Sequence, residues 1–245
     1  MRRRRLADGI TKLVSGDADI GESRLLPIAA IVGAALLYAT LPQEFVVGHA
    51  AGAFNVARWI VPALTGLVLL ALIGTLPNLP FVHLLDVEAE RLKVTRRALF
   101  MAAVSLVTVA NLASIVLLVH LLVNGAHANA GALLRAGIHM WCLNVLVFGL
   151  WFWQLDNGGP VARLTAGPQG RDFLFPQQAT PELLQPDWRP HFLDYLYVSF
   201  TNATAFSPTD AMPLSRWSKM LMLVESAASL MLAVMVAARA VNILQ

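Results

Sequence analysis

The sequence predicts an all-α integral membrane protein with four transmembrane helices in two hairpins, then a short re-entrant or half helix and a final long transmembrane helix. Of its 245 residues, 57% are hydrophobic and only 13% are charged, whereas globular proteins carry about 25% charged residues. The stretches 25–43, 59–85, 98–134 and 136–155 contain no Asp, Glu, Lys or Arg. About 20 apolar residues cross a bilayer core, so each stretch can hold one span. A fifth apolar stretch, 217–243, is interrupted by Lys219, Glu225 and Arg239 alone.

Residues 1–24 are predicted to be a basic cytoplasmic tail. The run MRRRR is separated from the first apolar stretch by a polar, acidic segment. A cleavable export signal would place its charges directly against a short apolar core, so we expect this tail to be retained. Cys142 is the single cysteine, which excludes an intramolecular disulfide.

The basic residues predict the orientation of the spans. Ten Lys and Arg side chains precede the first span or lie between the second and third, against two in the loops of the opposite side. Because basic residues near span ends stay in the cytoplasm, the N-terminus and the 86–97 loop are predicted to be cytoplasmic.

The composition divides the chain into four parts. A four-helix transmembrane half, 25–155, is predicted after the tail. The next part is a loop, 156–190, which contains six prolines and four glycines. Such composition is typical of irregular structure outside the membrane. The remaining part, 191–245, is predicted to be a pore-like helix–turn–helix unit.

The segment 191–206 is short for a crossing, at about 24 Å if helical. Its second half is polar, and polar groups at membrane depth must be buried in protein or line a cavity. Pro208 then breaks the helix, and Ser215 is a natural N-cap for a helix that starts at Arg216. A half helix, a thin crossing and a plain capped turn with no ion pathway all fit this pattern.

The stretch TNATAFSPTDAMPLSRW resembles the pore signature of tetrameric potassium channels. Thr201 and Thr204 match the threonines that end the pore helix, Ala205 matches the first filter residue, and Asp210 matches the aspartate after the filter. The filter glycines are absent, and a carbonyl-lined filter needs glycine backbone angles. The resemblance therefore implies a homotetramer with a non-standard pore segment, lined by Thr201, Thr204, Ala205, Phe206, Ser207, Pro208, Thr209 and Asp210.

The whole chain is also similar to a group of bacterial integral membrane proteins with no settled activity. The residues that carry this likeness are the stretches DYLYVSF, SPTD and ARAVNIL. The resemblance implies the architecture described above and a place in the bacterial cytoplasmic membrane.

Glu225 is the main ionisable candidate inside a span, with Ser226 and Ser229 beside it or one turn further along. Such groups are functional candidates because burying them in hydrocarbon is costly. Glu225 could bind a cation or relay a proton. Alternatively it is a neutral acid, or is paired with Lys219 or Arg216.

His120 and His139 lie near the ends of the third and fourth spans, where the turn between the spans could bring them together. Two histidines across a turn could hold a haem or a metal ion. Two ordinary interfacial histidines give the same pattern, so we expect no cofactor and no metal site.

These features predict a channel-like protein in the lipid bilayer that conducts monovalent cations. The alternative is a non-conducting membrane scaffold or accessory subunit. No nucleophile–base arrangement or phosphate-binding loop points to an enzyme. Nucleic acid is not expected as a partner, because the simplest partner of the short basic tail is the anionic cytoplasmic leaflet.

Overall fold

A computed structural model of the chain describes residues 25–42, 57–74, 89–124, 130–165, 170–180, 188–204 and 211–243. The described part of the first half contains four helices: α1 (Leu25–Ala39), α2 (Ala57–Gly74), α3 (Ala89–Val123) and α4 (Ala130–Leu155). A 3₁₀ turn (Asp156–Gly158), α5 (Ala162–Thr165), β1 (Phe173–Leu174) and α6 (Pro176–Ala179) follow. The C-terminal unit consists of α7 (Phe192–Ala203), β2 (Met212–Pro213) and α8 (Arg216–Ile243).

Among the described residues, three helices are long and apolar enough to cross a membrane: Val94–Val123, Gly131–Gly158 and Arg216–Ala238. They correspond to the third, fourth and last spans predicted from the sequence. The described parts of the first two predicted spans, α1 and α2, are 15 and 18 residues long. The fold is therefore a helical bundle of membrane-spanning composition.

Helix α4 lies at the centre of the bundle and packs against α1, α3, α7 and α8. Phe148, Phe152, Leu143 and Met140 on α4 are fully buried. At Gly149, a side-chain Cβ would lie 3.1 Å from Leu196 Cα on α7. The absence of a side chain at this position therefore lets α7 approach α4 closely.

The main helix ends have local causes. Residues Asn157, Gly158 and Gly159 adopt positive φ angles after α4, which an α-helix cannot continue through. Ser215 Oγ accepts a hydrogen bond of 3.2 Å from the Ser218 backbone amide, which confirms Ser215 as the N-cap of a helix starting at Arg216.

The described parts of the 156–190 loop carry short elements between irregular stretches. Strand β1 pairs antiparallel with β2, with Phe173 opposite Pro213 and Leu174 opposite Met212. Phe173 and Phe175 turn inward and pack their rings against Tyr195 on α7. The loop therefore contacts both α7 and β2, the strand that precedes α8.

Candidate functional site

Helix α7 runs antiparallel to α4 and ends partway along it. The rings of Phe192 and Trp153 lie 6.2 Å apart at the start of α7. At its end, Trp141 Nε1 donates a hydrogen bond of 3.5 Å to the carbonyl oxygen of Ala203. The 12 residues of α7 correspond to about 18 Å, roughly half of a bilayer crossing.

Helix α8 begins at the same end of α4 as α7 does. The Leu214 amide donates to the Asp172 carbonyl oxygen at 2.8 Å, and Ser218 Oγ donates to the same oxygen at 3.1 Å. Asp172 itself is tied to Asp156, directly after α4. The start of α7, β2 and the start of α8 therefore lie at the same end of α4.

The Asp156 carboxylate connects the two sides of this unit. Its Oδ2 accepts a hydrogen bond of 2.5 Å from the Tyr195 hydroxyl on α7. Its Oδ1 accepts from the backbone amides of Asp172 at 2.9 Å and Phe173 at 3.2 Å, next to and within β1. Because β1 pairs with β2, one buried carboxylate fixes both the start of α7 and the approach to α8.

Arg163 completes this end of the bundle. Its Nη1 donates to the carbonyl oxygens of Trp153 at 2.6 Å and Asp156 at 3.1 Å, the latter within the 3₁₀ turn. Its guanidinium lies 5.0 Å from the centre of the Tyr195 ring. The cation therefore stabilises carbonyl groups at the α4 terminus, where the helix dipole favours positive charge.

Glu225 lies fully buried where α4, α7 and α8 meet. Its Oε1 is in hydrogen-bond contact with Ser199 Oγ, and its Oε2 accepts a bond of 2.6 Å from Asn202 Nδ2. Asn202 Nδ2 also donates to the Met222 carbonyl oxygen at 2.9 Å. The carboxyl group thus joins the half-length helix to the long one inside a single subunit.

The two serines predicted to accompany Glu225 lie in the same cluster. Ser226 Oγ donates to Asn202 Oδ1 at 2.9 Å. Ser229 Oγ accepts a bond of 2.9 Å from Asn144 Nδ2, which also donates to the Glu225 carbonyl oxygen at 3.2 Å. Asn144 is fully buried, and its Oδ1 has no hydrogen-bond partner within the described ranges. We call Asn144, Ser199, Asn202, Glu225, Ser226 and Ser229 the Glu225 cluster.

Lys219 and Arg216, the two cations considered as partners of Glu225, are both exposed on α8. Within the described residues, the Glu225 carboxyl oxygens contact Ser199 and Asn202, and no ion pair to a cation is formed. Of the alternatives raised by the sequence, pairing with Lys219 or Arg216 does not occur in this structure.

The predicted pore-lining residues fall into two groups. Thr201 Oγ1 bonds to the carbonyl oxygens of Tyr197 and Val198, and Thr204 Oγ1 bonds to those of Phe200 and Thr201, each at 3.0 Å. Both side chains are half-buried at the inner end of α7. The other predicted pore residues lie outside the described residues: Ala205, Phe206, Ser207, Pro208, Thr209 and Asp210.

The two histidines have different surroundings. His120 is exposed and its ring contacts Asn124 Nδ2 on the next turn. His139 is half-buried on α4, and its Nδ1 has no partner within the described parts of the chain. No group of three His, Cys, Asp or Glu side chains among the described residues could hold a metal ion.

Sequence reasoning missed two residues of this unit: Asp156 and Tyr195. Asp156 looked like the first polar residue of a loop, and Tyr195 looked like an ordinary aromatic residue of a short helix. The available signal was an acidic residue followed directly by Asn-Gly-Gly at the end of an apolar helix. That pattern marks a helix terminus but does not reveal which partners the carboxylate finds.

Comparison of the chain with family models, with curated proteins and with solved structures gives no match. The function must therefore be inferred from the geometry of the C-terminal unit.

Proposed function

We propose that the protein resides in the bacterial cytoplasmic membrane and passes monovalent cations through a channel-like C-terminal unit, assembled as a homotetramer. In this proposal the N-terminus is cytoplasmic and four spans precede the loop. Helix α7 then enters the membrane from the cytoplasmic side as a re-entrant half helix, and α8 crosses. The observation that carries the proposal is that α7 and α8 both begin beside Asp156.

This geometry supports a pore segment for a simple reason. A helix that ends at half depth, followed by a helix that starts again from the same end, requires the intervening chain to return through the membrane. Non-helical backbone at that depth is tolerated only when it is buried in protein or lines a water-filled cavity. The residues between the two helices, 205–210, include Ser207, Thr209 and Asp210, which suit contact with water and cations.

The outer surface of α7 supports assembly around an axis. Leu193, Tyr197 and Phe200 are exposed and, with the half-buried Thr204, follow one another at spacings of three and four residues along one face. Residues at these spacings share one side of a helix. Four copies that met through this face would bring the inner ends of α7 and the returning segments around a common axis.

Cation flux into liposomes that contain the purified protein tests the proposal. We expect K⁺ or Na⁺ flux with the native chain, and loss of flux with Thr204→Val and with Asp210→Ala. Thr40→Val is the matched control, because Thr40 Oγ1 bonds to carbonyl oxygens three and four residues back, as Thr204 does, but at the end of α1. Flux that is equal in all four proteins would contradict the site assignment.

The oligomeric state, measured by native mass spectrometry in mild detergent, tests whether several subunits share one pore. A tetramer is expected, because four half helices need a common axis. A monomer with no flux would contradict the proposal.

A non-conducting scaffold or accessory subunit is the second candidate, and one observation favours it. The hydroxyl groups of Thr201 and Thr204 and the carboxyl group of Glu225 are all hydrogen-bonded within the subunit. In such a protein the polar residues would only hold α7 in place. The scaffold predicts a folded protein that lacks flux in every lipid composition tested.

A further inference from the structure

If Glu225 were ionised, the contacts of Ser199 in the Glu225 cluster would have too few hydrogens for the number of acceptor oxygens. Ser199 Oγ lies 2.8 Å from the Val145 carbonyl oxygen and is also in hydrogen-bond contact with Glu225 Oε1. A serine hydroxyl has one hydrogen to donate, and a carbonyl oxygen and a carboxylate oxygen can only accept. With Glu225 ionised, one of these two oxygen–oxygen contacts would have no hydrogen in it.

A protonated Glu225 supplies the missing hydrogen. The acid O–H at Oε1 then donates to Ser199 Oγ, and the Ser199 hydroxyl donates to the Val145 carbonyl oxygen. Each of the three oxygens is satisfied, and the chain of donors ends on the backbone of α4.

The other carboxyl oxygen fits the same assignment. Asn202 Nδ2 has two hydrogens, which it gives to Glu225 Oε2 at 2.6 Å and to the Met222 carbonyl oxygen at 2.9 Å. Its Oδ1 accepts from Ser226 Oγ at 2.9 Å. Oε2 is thus the carbonyl oxygen of the acid, and no side-chain hydrogen of Asn202 is left over.

The charges around Glu225 agree with a neutral acid. A carboxylate at membrane depth without a cation is costly, and no ionisable side chain described on the surrounding helices hydrogen-bonds or pairs with the Glu225 carboxyl group. The ionisable residues in question are Arg96, Arg97 and His120 on α3, Arg135, His139 and Cys142 on α4, His191, Asp194, Tyr195 and Tyr197 at or on α7, and Arg216 and Lys219 on α8.

We propose that the junction of α4, α7 and α8 is a proton-binding site. Glu225 keeps the proton, donates a hydrogen bond through it to Ser199 Oγ, and thereby holds the half-length helix α7 against α8. The inference does not depend on conduction, because it rests on contacts within one subunit. If the channel-like function also holds, release of the proton would loosen the helix that leads into the pore segment.

Infrared spectroscopy of the purified protein at pH 7, in a detergent without ester or carboxyl groups, tests this site. Exposed Asp and Glu side chains are ionised at that pH, so a carboxylic acid C=O band must come from a buried acid. We expect one such band in the native chain, lost in Glu225→Gln and retained in the control Glu182→Gln, which changes a glutamate of the loop between α4 and α7. Absence of the band from the native chain, or its persistence in Glu225→Gln, would overturn the proposal.

A second variant covers the case in which Glu225→Gln does not fold. Asn202→Leu removes the donor to Oε2, so the acid C=O band should move to higher frequency, and an unmoved band would contradict the assignment. The role in holding α7 has its own readout. Raising the pH on the native chain should remove the acid band and, over the same pH range, lower the protection of the α7 amides, that is, speed their exchange beyond the intrinsic rise of amide exchange with pH. Loss of the band with unchanged exchange in α7 would overturn that part of the proposal.

Discussion

The hydroxyl group of Tyr195 on α7 donates a hydrogen bond of 2.5 Å to the buried carboxylate of Asp156, directly after α4. The other oxygen of this carboxylate accepts hydrogen bonds from the backbone amides of Asp172 and Phe173, next to and in β1. This single group links the helix that runs inward to the strand pair that precedes α8. The packing of α7 beside α8 therefore depends on a contact between residues 39 positions apart in the sequence.

Replacing Tyr195 by Phe should lower the free energy of unfolding by about 1–3 kcal/mol, because it removes a donor from a buried charged acceptor. Thermal unfolding in detergent measures the change. Tyr197→Phe is the matched control, since Tyr197 lies on the same helix with an exposed ring. Equal melting temperatures for the two variants would show that the Asp156 bond does not stabilise α7.

Replacing Asp156 by Ala should loosen both sides of the unit at once. The amides of Asp172 and Phe173 lose their acceptor, and Leu214 is attached to the same segment. Hydrogen exchange followed by mass spectrometry should show faster exchange in peptides that cover 170–175 and 211–218.

Asp194→Ala provides the comparison for that experiment, because the Asp194 carboxylate caps only the start of α7 through the His191 amide. Its effect on exchange should be confined to α7. A similar change in 211–218 with both variants would contradict the linking role of Asp156.

Replacing Gly149 by Leu should destabilise the protein by about 1–3 kcal/mol, because the added side chain would overpack the contact between α4 and α7. Even a Cβ added at this position would lie only 3.1 Å from Leu196 Cα. Gly66→Leu on α2 is the control, since a Cβ there meets nothing within 4 Å. The melting temperature in detergent should fall for Gly149→Leu alone.

Leu193→Cys and Met212→Cys should react with a membrane-impermeant maleimide from the same side of sealed vesicles. Leu193 lies in the first turn of α7 and Met212 in β2, and both lie at the same end of α4, as the Trp153–Phe192 and β1–β2 contacts indicate. Both variants are made in a Cys142→Ser background, because Cys142 is the only native cysteine. Labelling from opposite sides would mean that α7 crosses the membrane, and the proposed pore segment would then be abandoned.

The amino-acid sequence by itself determined the helical, membrane-type architecture and the position of several helix ends. Long apolar stretches predict spans because hydrocarbon excludes charged side chains, and within the described residues three of the predicted spans are helices of crossing length. The Ser215 cap was also readable, because an N-cap contact lies within three residues along the chain. These features depend on local composition and short spacing alone.

Only the tertiary structure decided what the polar residues contact. Glu225 was recognisable as a candidate, but its partners Ser199 and Asn202 lie 26 and 23 residues away. Asp156 and Tyr195 carried no signal that they would meet. Such pairs form because α7 and α8 pack against α4 from the same end, and that packing is set by side-chain shape and contact between distant segments rather than by any local pattern.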